Sequence, residues 1–364
     1  MNLSNNKKNK IIKKNTISVI VPVFNDEKRI ARCIQSVTNY KNINLELIII
    51  DDGSYDTSAQ IADLYAMTDK RITVIKTENK GPSAARNVGI RHSIGEFIFF
   101  LDADDYLRIN TLKYLLDEIK APNVDLAVGD FLTFNELLRD EMESKHALNF
   151  SRTLTLNKSK IDDYISLYLK RPNKYPLFAY SWGRLFKASI IKGHKLFFNE
   201  KLWTFEDVDF NFRYLIWVDK VCFIKKNIMN HTINGVSLSA SMRLPKDPSR
   251  LFEFQHALIS SALYLEKMKI NNNIKDNISH AYACYTIIQL IRISSQHNRN
   301  NNKVIIKLIN ECISDKILQE SLNHYIPSSD DSKIIPFLIK IRQPLLLFYA
   351  CRIRGRKRYG INNS

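Results

Sequence analysis

Long runs of apolar residues alternate with polar stretches over the first 130 residues of this 364-residue chain. Five runs rich in Val, Ile, Leu and Phe predict β-strands at residues 17–24, 45–52, 71–76, 96–103 and 124–130. Their apolar positions are nearly continuous rather than alternating. This pattern is typical of strands that are buried on both faces of a parallel sheet.

Segments with helical periodicity lie between these runs. Residues 57–67 and 108–121 repeat apolar side chains at i, i+3 and i+4, and Pro82 suits the first turn of a third helix. Thr57 and Gln60 have the spacing of a capping box. Strands and helices that alternate in this way predict an α/β fold, a doubly wound, Rossmann-like mixed sheet with helices on both faces.

The regular alternation ends near residue 130. Residues 131–160 are predicted to form a polar loop, and the stretch that follows is rich in aromatic side chains. Beyond residue 248 the apolar positions follow helical spacing. The sequence therefore predicts a disordered basic tail over residues 1–15, an α/β domain over 16–240 and a mostly helical region with a basic tail over 248–364.

Composition narrows the class of protein. The chain is 45% hydrophobic, which is enough for one large domain or two. Its formal net charge of +17 favours attraction to an anionic surface or substrate, although a general bias towards Lys, Asn and Ile explains the charge equally well. The five cysteines form no CxxC pair, so they predict neither a zinc site nor a disulfide framework and suit a reducing cytosol.

Both ends of the chain bear on location. Residues 1–15 are basic and lack the apolar core of a signal peptide, and no run reaches the roughly 18 apolar residues of a membrane span. We therefore expect a cytoplasmic protein. Near the other end, apolar residues 344–349 precede a basic cluster, which suits the inner face of an anionic membrane or a docked helix with a solvated end. That cluster consists of Arg352, Arg354, Arg356, Lys357 and Arg358.

Polar and acidic residues lie at the carboxyl ends of three of the predicted strands. They are Asn25 and Asp26, Asp51 and Asp52, and Asp102, Asp104 and Asp105. Because doubly wound sheets bind ligands at the carboxyl ends of their strands, we expect these residues to gather along one edge. Two carboxylates in DxD spacing are suited to Mg²⁺ or Mn²⁺, which prefers hard oxygen ligands and bridges phosphates. A strand that ends in a solvated turn has the same pattern.

Two further stretches have the chemistry of a nucleotide site. In IIIDDGSYDTS, Asp52 is a hydrogen-bond acceptor for a base or ribose, and Gly53 lets the backbone turn close to a ligand. A tight turn before a helix capped by Asp56 or Thr57 is the alternative. In ENKGPSAARNVGI, small residues at a helix start let Arg86 face a diphosphate, or Arg86 forms a structural salt bridge instead.

Candidates for a general base and for a further metal ligand lie after residue 200. Glu206 and Asp207 stand among aromatic residues in LWTFEDVDF, and a carboxylate in a partly desolvated aromatic setting can serve as a general base. Acidic residues in the first turn of an ordinary helix are the alternative. His231, in NHTINGVSLSAS, is either a ligand for Mn²⁺ or a loop histidine.

Six motifs occur in the order PVFN, DDGS, GPSAARNVGI, FLDADD, SWGRLFK and FEDVDF. In this order and spacing they resemble the family 2 glycosyltransferases, bacterial inverting enzymes with the GT-A fold. The resemblance covers roughly residues 16–240. It implies transfer of a sugar from a nucleotide sugar, usually a UDP-sugar, to a hydroxyl of a growing surface glycan such as capsule or lipopolysaccharide. It also implies Mn²⁺ or Mg²⁺ as cofactor, a glycan or lipid-linked acceptor and no nucleic-acid partner.

The resemblance also implies a role for each matching residue. The nucleotide pocket would be lined by Pro22, Val23, Phe24, Asn25 and Glu27. Asp52 with Gly53 would bind the base, Arg86 would lie near the diphosphate, and Asp102 with Ala103 would contact the ribose. Asp104 would hold the metal. Apart from the resemblance, the side-chain chemistry of Asp102 and His231 makes them further candidate ligands. Asp207 would be the general base, with Glu206 beside it.

Two other functions compete with sugar transfer. A non-catalytic basic protein that binds nucleic acid or membrane would explain the +17 charge. The acidic strand ends argue against polynucleotide binding there, because carboxylates repel phosphates. A nucleotidyltransferase on a similar fold would release pyrophosphate and need no base at Asp207. Motifs for a P-loop, a dinucleotide fold or a zinc protease (GxxxxGK[ST], GxGxxG and HExxH) are absent from the sequence.

Overall fold

The computed structural model divides into two compact units. It describes residues 12–137, 139–143, 152–170, 179–202, 205–233, 258, 274–296, 302–329 and 331–359. Unit 1 comprises residues 1–161, 180–200 and 217–237, and unit 2 comprises residues 162–179, 201–216 and 238–364.

Unit 1 contains a ten-stranded mixed sheet within the described residues. The strands are β1 (Lys13–Val23), β2 (Leu45–Asp51), β3 (Ile72–Lys76), β4 (Gly95–Phe100), β5 (Tyr106–Leu107), β6 (Leu126–Asn135), β7 (Asp140–Glu143), β8 (Leu154–Asn157), β9 (Arg184–Lys187) and β10 (Lys220–Ile233). Their order is β3-β2-β1-β4-β9-β6-β10-β5, with β7 beside β6 and β8 beside β10. The prediction of a mixed α/β sheet is thereby confirmed.

The first four strands of this order run parallel and end at one edge of the sheet. Val23 at the end of β1 pairs with Asp51 at the end of β2, and Ile20 pairs with Phe100 at the end of β4. In contrast, β9 is antiparallel to both β4 and β6. The polar residues that follow β1, β2 and β4 therefore leave the sheet on the same side, as the sequence predicts.

Helices cover both faces of this sheet. They are α1 (Ile30–Thr38), α2 (Ser58–Thr68), α3 (Pro82–His92), α4 (Thr111–Ile119) and α6 (Ala188–Gly193). A further helix, α5 (Lys158–Lys170), begins in unit 1 and continues in unit 2. Val19 and Val21 pack in one apolar cluster, while Ile48 and Ile50 pack with Ala85 of α3 in another. Burial on both faces explains why the strands read as continuous apolar runs.

Two local predictions are wrong. Residues 131–160 are not a simple loop, because β6 continues to Asn135 and the described part of the stretch also contains β7 and β8. Cross-strand partners satisfy the backbone of these polar segments, which a propensity pattern does not register. Thr57 precedes α2 but forms no capping box, because its hydroxyl donates to Glu27 Oε2 at 2.7 Å.

Unit 2 is mostly helical in its described part. It contains α7 (Glu206–Leu215), α8 (Ile274–Gln296), α9 (Asn302–Ser314), α10 (Lys316–Ser321), α11 (Ile334–Lys340) and α12 (Pro344–Tyr359). Gly355 lets α12 approach α8 closely, since a Cβ at this position would lie 2.4 Å from the Ser295 Cβ. None of the helices in the described ranges is both long and apolar enough to span a bilayer.

Candidate active site

The loops after β1 and β2 are tied together at the carboxyl edge of the sheet. The Asn25 backbone N–H donates to Ser54 Oγ at 3.0 Å, and the Tyr55 N–H donates back to Asn25 Oδ1 at 3.0 Å. Asn25 has a left-handed backbone with φ of 50°, which Asn tolerates better than most residues. The Phe24 and Tyr55 rings meet edge to face at 5.5 Å and are exposed, so they offer an apolar surface beside these polar groups.

The other residues predicted to line the nucleotide pocket lie in or beside the same two loops, after β1 and β2. Glu27 Oε2 accepts bonds from the Thr57 N–H and hydroxyl, and these bonds lower the pKa of Glu27. The carbonyl of Val23, the last residue of β1, accepts the Asp52 N–H at 2.9 Å. Pro22, just before it in β1, is half-buried. These residues therefore shape the edge mainly through the backbone. Their contact with a nucleotide stays a prediction.

Asp52 braces the loop that precedes α3. Its carboxylate accepts the Lys80 N–H at 3.0 Å and the Gly81 N–H at 2.8 Å, and burial raises the pKa of Asp52. Gly53, with φ of 75°, lies against this loop, since a Cβ there would be 3.0 Å from the Asn79 nitrogen. A carboxylate has about four acceptor positions, so Asp52 retains acceptor capacity for a nucleotide base.

Arg86 joins α3 to the acidic strand end. Its Nη2 donates to Asp102 Oδ1 at 2.8 Å, and its buried guanidinium lies 5.3 Å from the centre of the Phe198 ring. The salt bridge that the sequence left as an alternative is therefore present. It also places a fixed positive charge beside the acidic cluster, where a diphosphate contact stays a prediction.

Three carboxylates after β4 form the only group in the described part of the chain with the spacing of a cation site. Asp102, Asp104 and Asp105 each place an oxygen within 4.8 Å of the others. Burial and the charges of Asp105 and Asp102 raise the pKa of Asp104 to about 7, and burial raises the pKa of Asp105. Three closely spaced carboxylates fit Mg²⁺ or Mn²⁺, because a divalent cation offsets the repulsion between them. Ala103 is buried within the same turn.

His231 reaches this cluster through Asp105. Its Nδ1 lies 3.2 Å from Asp105 Oδ2, and its ring stacks on Trp182 with centroids 5.1 Å apart. Burial lowers the pKa of His231, but the Asp105 carboxylate outweighs this effect and raises it to about 9. His231 is not among the three side chains whose ligand atoms come together in the described residues. A direct role as metal ligand stays a prediction.

Sequence reasoning missed three charged residues near Asp104. Arg29 Nη1 lies 3.8 Å from Asp104 Oδ2, and Arg32 Nη2 donates to the Asp104 carbonyl at 3.0 Å and to Glu136 Oε1 at 3.3 Å. An open cleft of about 480 Å³ is lined by residues 25–29, Asp56, Glu136 and Leu137. The two arginines, three residues apart after PVFN, were a usable signal. Glu136 was not, because it follows the end of β6 in a stretch that the sequence assigns to a loop.

Unit 2 contains the predicted general base. Glu206 and Asp207 occupy the first turn of α7, where the helix dipole favours acidic residues. Phe205, just before the helix, has φ of 67° and contacts the Tyr285 ring at 4.4 Å. Asp209, two residues after Asp207 in the same turn, pairs with Arg213 at 2.6 Å. Asp207 therefore lies in the first turn of a helix, as the alternative interpretation of this motif predicts, and the aromatic Phe205 precedes that turn. The role of Asp207 as general base stays a prediction.

The chain is similar in sequence to known glycosyltransferases. Residues 18–189 match the model for glycosyl transferase family 2. The chain is 27% identical over 92% of its length to the putative glycosyltransferase EpsH of Bacillus subtilis, covering 93% of that protein. It is also 27% identical to the cholesterol galactosyltransferase of Borreliella burgdorferi, over 64% of each chain.

A solved structure supports the fold. S. aureus TarS 1–349 in complex with UDP-GlcNAc superposes with a TM-score of 0.68 and 18% identity, over 96% of this chain and 93% of that one. At this identity the match concerns the fold alone. The TarS match shows that the fold is GT-A. The family model and the relatives show that the chain is a glycosyltransferase whose residues 18–189 belong to glycosyl transferase family 2.

Proposed function

We propose that this glycosyltransferase moves a sugar from a UDP-sugar to a hydroxyl of a growing surface glycan, such as capsule or lipopolysaccharide, with metal dependence and inversion. The observation that carries the proposal is the group of three carboxylates within 4.8 Å, with Arg86 bonded to one of them. Clustered carboxylates beside a buried arginine suit a cation and the diphosphate that it bridges. The identity of the glycan rests on the family resemblance.

Two comparisons support a UDP-sugar donor. TarS was solved in complex with UDP-GlcNAc, and one relative is described as a galactosyltransferase. The tied loops after β1 and β2 and the loop held by Asp52 present backbone groups and the exposed Phe24 ring to a nucleotide at the carboxyl edge. UDP-GlcNAc and UDP-galactose are therefore the first donors to test.

Each residue has a defined task under this proposal. Asp102, Asp104 and Asp105 would hold Mn²⁺ or Mg²⁺, which when bound offsets charge on the departing nucleoside diphosphate. Arg86 adds fixed positive charge beside Asp102. Asp207, with Glu206 beside it, takes the proton of the acceptor hydroxyl. The acceptor oxygen then bonds to the anomeric carbon as the bond to UDP breaks on the opposite face, which inverts that carbon.

The proposal also specifies the partners. The acceptor is a glycan that is free or lipid-linked, and a lipid-linked acceptor would suit a protein on the inner face of a membrane. Nucleic acid is not a partner at the carboxyl edge, because the acidic cluster repels a phosphate backbone unless a cation intervenes.

Calorimetric titration of UDP tests the donor site. We expect micromolar binding with Mn²⁺, little binding with EDTA, and at least tenfold weaker binding for Asp104→Ala. Asp117→Ala, which removes an exposed carboxylate from α4, is the matched control and should bind as wild type. Absence of UDP binding under every condition would refute the uridine donor. Release of UDP rather than pyrophosphate during turnover excludes a nucleotidyltransferase.

A further inference from the structure

Helices α11 and α12 of unit 2 expose a set of large apolar side chains. We name this set the membrane face, and each member is between 44 and 62% exposed. It consists of Ile334, Phe337, Ile341, Leu345, Leu346, Tyr349 and Ile353. The two helices are joined by only three residues, 341–343, and pack on each other. Single exposed apolar residues are ordinary, but six on two adjoining helices and a seventh, Ile341, in their connection indicate a binding surface.

The exposed residues of α12 lie on one side of the helix. At 100° per residue, the outward positions Leu345, Leu346, Tyr349 and Ile353 fall within a 100° arc. The buried positions Leu347, Phe348, Cys351 and Gly355 fall within a second 100° arc, roughly opposite the first. A helix that only packs on the body of a protein needs one apolar stripe. The second stripe therefore requires another apolar environment.

The charge around this face selects an anionic partner. Residues 332–364 contain eight Lys or Arg and no Asp or Glu, and thus carry nearly half of the net charge of +17. The cations are Lys333, Lys340, Arg342, Arg352, Arg354, Arg356, Lys357 and Arg358. A second copy of this chain would bring an equal positive charge to the same place, so self-association through this face is opposed by repulsion.

We propose that α11 and α12 dock unit 2 on an anionic phospholipid bilayer. The apolar side chains of the membrane face enter the boundary between headgroups and acyl chains, and the flanking Lys and Arg side chains contact lipid phosphates. The helices lie in the plane of the surface, since neither is long enough to span it. This inference goes beyond the proposed function, because it holds for any donor sugar.

Vesicle co-sedimentation of the full chain tests the proposal. We expect binding to phosphatidylcholine vesicles that contain phosphatidylglycerol, weak binding to pure phosphatidylcholine, and weakening at high salt. Leu346→Glu with Ile353→Glu should reduce partitioning at least tenfold. Leu64→Glu with Met67→Glu changes two exposed apolar residues of α2 by the same charge and should bind as wild type.

A second variant and two readouts keep the outcome interpretable. Leu346→Gln with Ile353→Gln adds no negative charge, so a loss of at least about fivefold isolates the apolar contribution. Thermal melting verifies that the variants are folded, and UDP binding without vesicles reports on the donor site separately. The proposal is overturned if wild type stays in the supernatant or if the α2 control loses as much binding. It is also overturned if the chain binds duplex DNA or dimerises through this face without binding vesicles.

Discussion

Replacing Asp104 by Asn removes a carboxylate whose ionisation the folded protein opposes. Burial and then the charges of Asp105 and Asp102 raise the pKa of Asp104 from 3.8 to about 7. Because the folded-state pKa exceeds the unfolded one, the stabilising contribution of this carboxyl is complete below about pH 3.8. It is lost as the pH rises through about 7. At pH 8 the ionised Asp104 therefore destabilises the metal-free protein.

The size of this effect follows from the pKa difference and the exposure of the side chain. The difference between 3.8 and about 7 corresponds to about 4 kcal/mol. The Asp104 side chain is 36% exposed, so solvent screens the repulsion and we expect about half of that, ~2 kcal/mol. Asp104→Asn should thus be more stable than wild type by about 2 kcal/mol at pH 8 and about 1 kcal/mol at pH 5.

Urea unfolding with EDTA at the two pH values measures this difference. Added Mn²⁺ should stabilise wild type and leave Asp104→Asn nearly unchanged, because only wild type retains the full set of carboxylates. Asp117→Asn, at an exposed position of α4, should show neither effect. A variant no more stable than wild type at pH 8, or an equal difference at pH 5, would refute the reasoning. Equal Mn²⁺ stabilisation of both proteins would refute Asp104 as a ligand.

Three further substitutions test other parts of the molecule. Arg86→Ala breaks a 2.8 Å pair with Asp102, so it should lower the free energy of unfolding by about 2–3 kcal/mol in urea and weaken UDP binding at least tenfold by calorimetry. Asp207→Asn should reduce kcat about 10²–10⁴-fold in steady-state assays while leaving the Kd for UDP unchanged. Gly89→Ala places a methyl 2.3 Å from the Ile20 Cγ2, so it should cost about 1–3 kcal/mol in thermal unfolding.

Each of these substitutions has a control or a contrary outcome. Arg86→Lys keeps the charge without the planar fork, and should recover only part of the UDP affinity. Loss of stability in Arg86→Ala with unchanged UDP binding would restrict Arg86 to a structural salt bridge. A large loss of UDP binding in Asp207→Asn would contradict a base. Gly193→Ala is the control for Gly89→Ala, because a Cβ at position 193 would have no atom within 4 Å. Its free energy of unfolding should equal that of wild type or exceed it by up to ~1 kcal/mol.

The candidate site was predictable where its residues are adjacent in the chain. The DxD spacing of Asp102 and Asp104 and the strand before them are local patterns, and the structure places them at the expected edge. The pairing of Asp105 with His231 joins residues 126 positions apart, so no spacing rule reveals it. Glu136 was missed for a related reason, because β6 is extended by partners from β7 and β10 rather than by its own composition.

The sequence by itself determined five of the ten described strands, the parallel start of the sheet, the acidic strand ends and the family. These features depend on side-chain periodicity and short-range spacing, which are properties of neighbouring residues. Only the tertiary structure decided that Asp52 braces the loop before α3, that Arg86 bonds Asp102, and that Asp104 resists ionisation. Hydrogen-bond partners, burial and carboxyl pKa values depend on which distant segments pack together, and packing is a property of the whole fold.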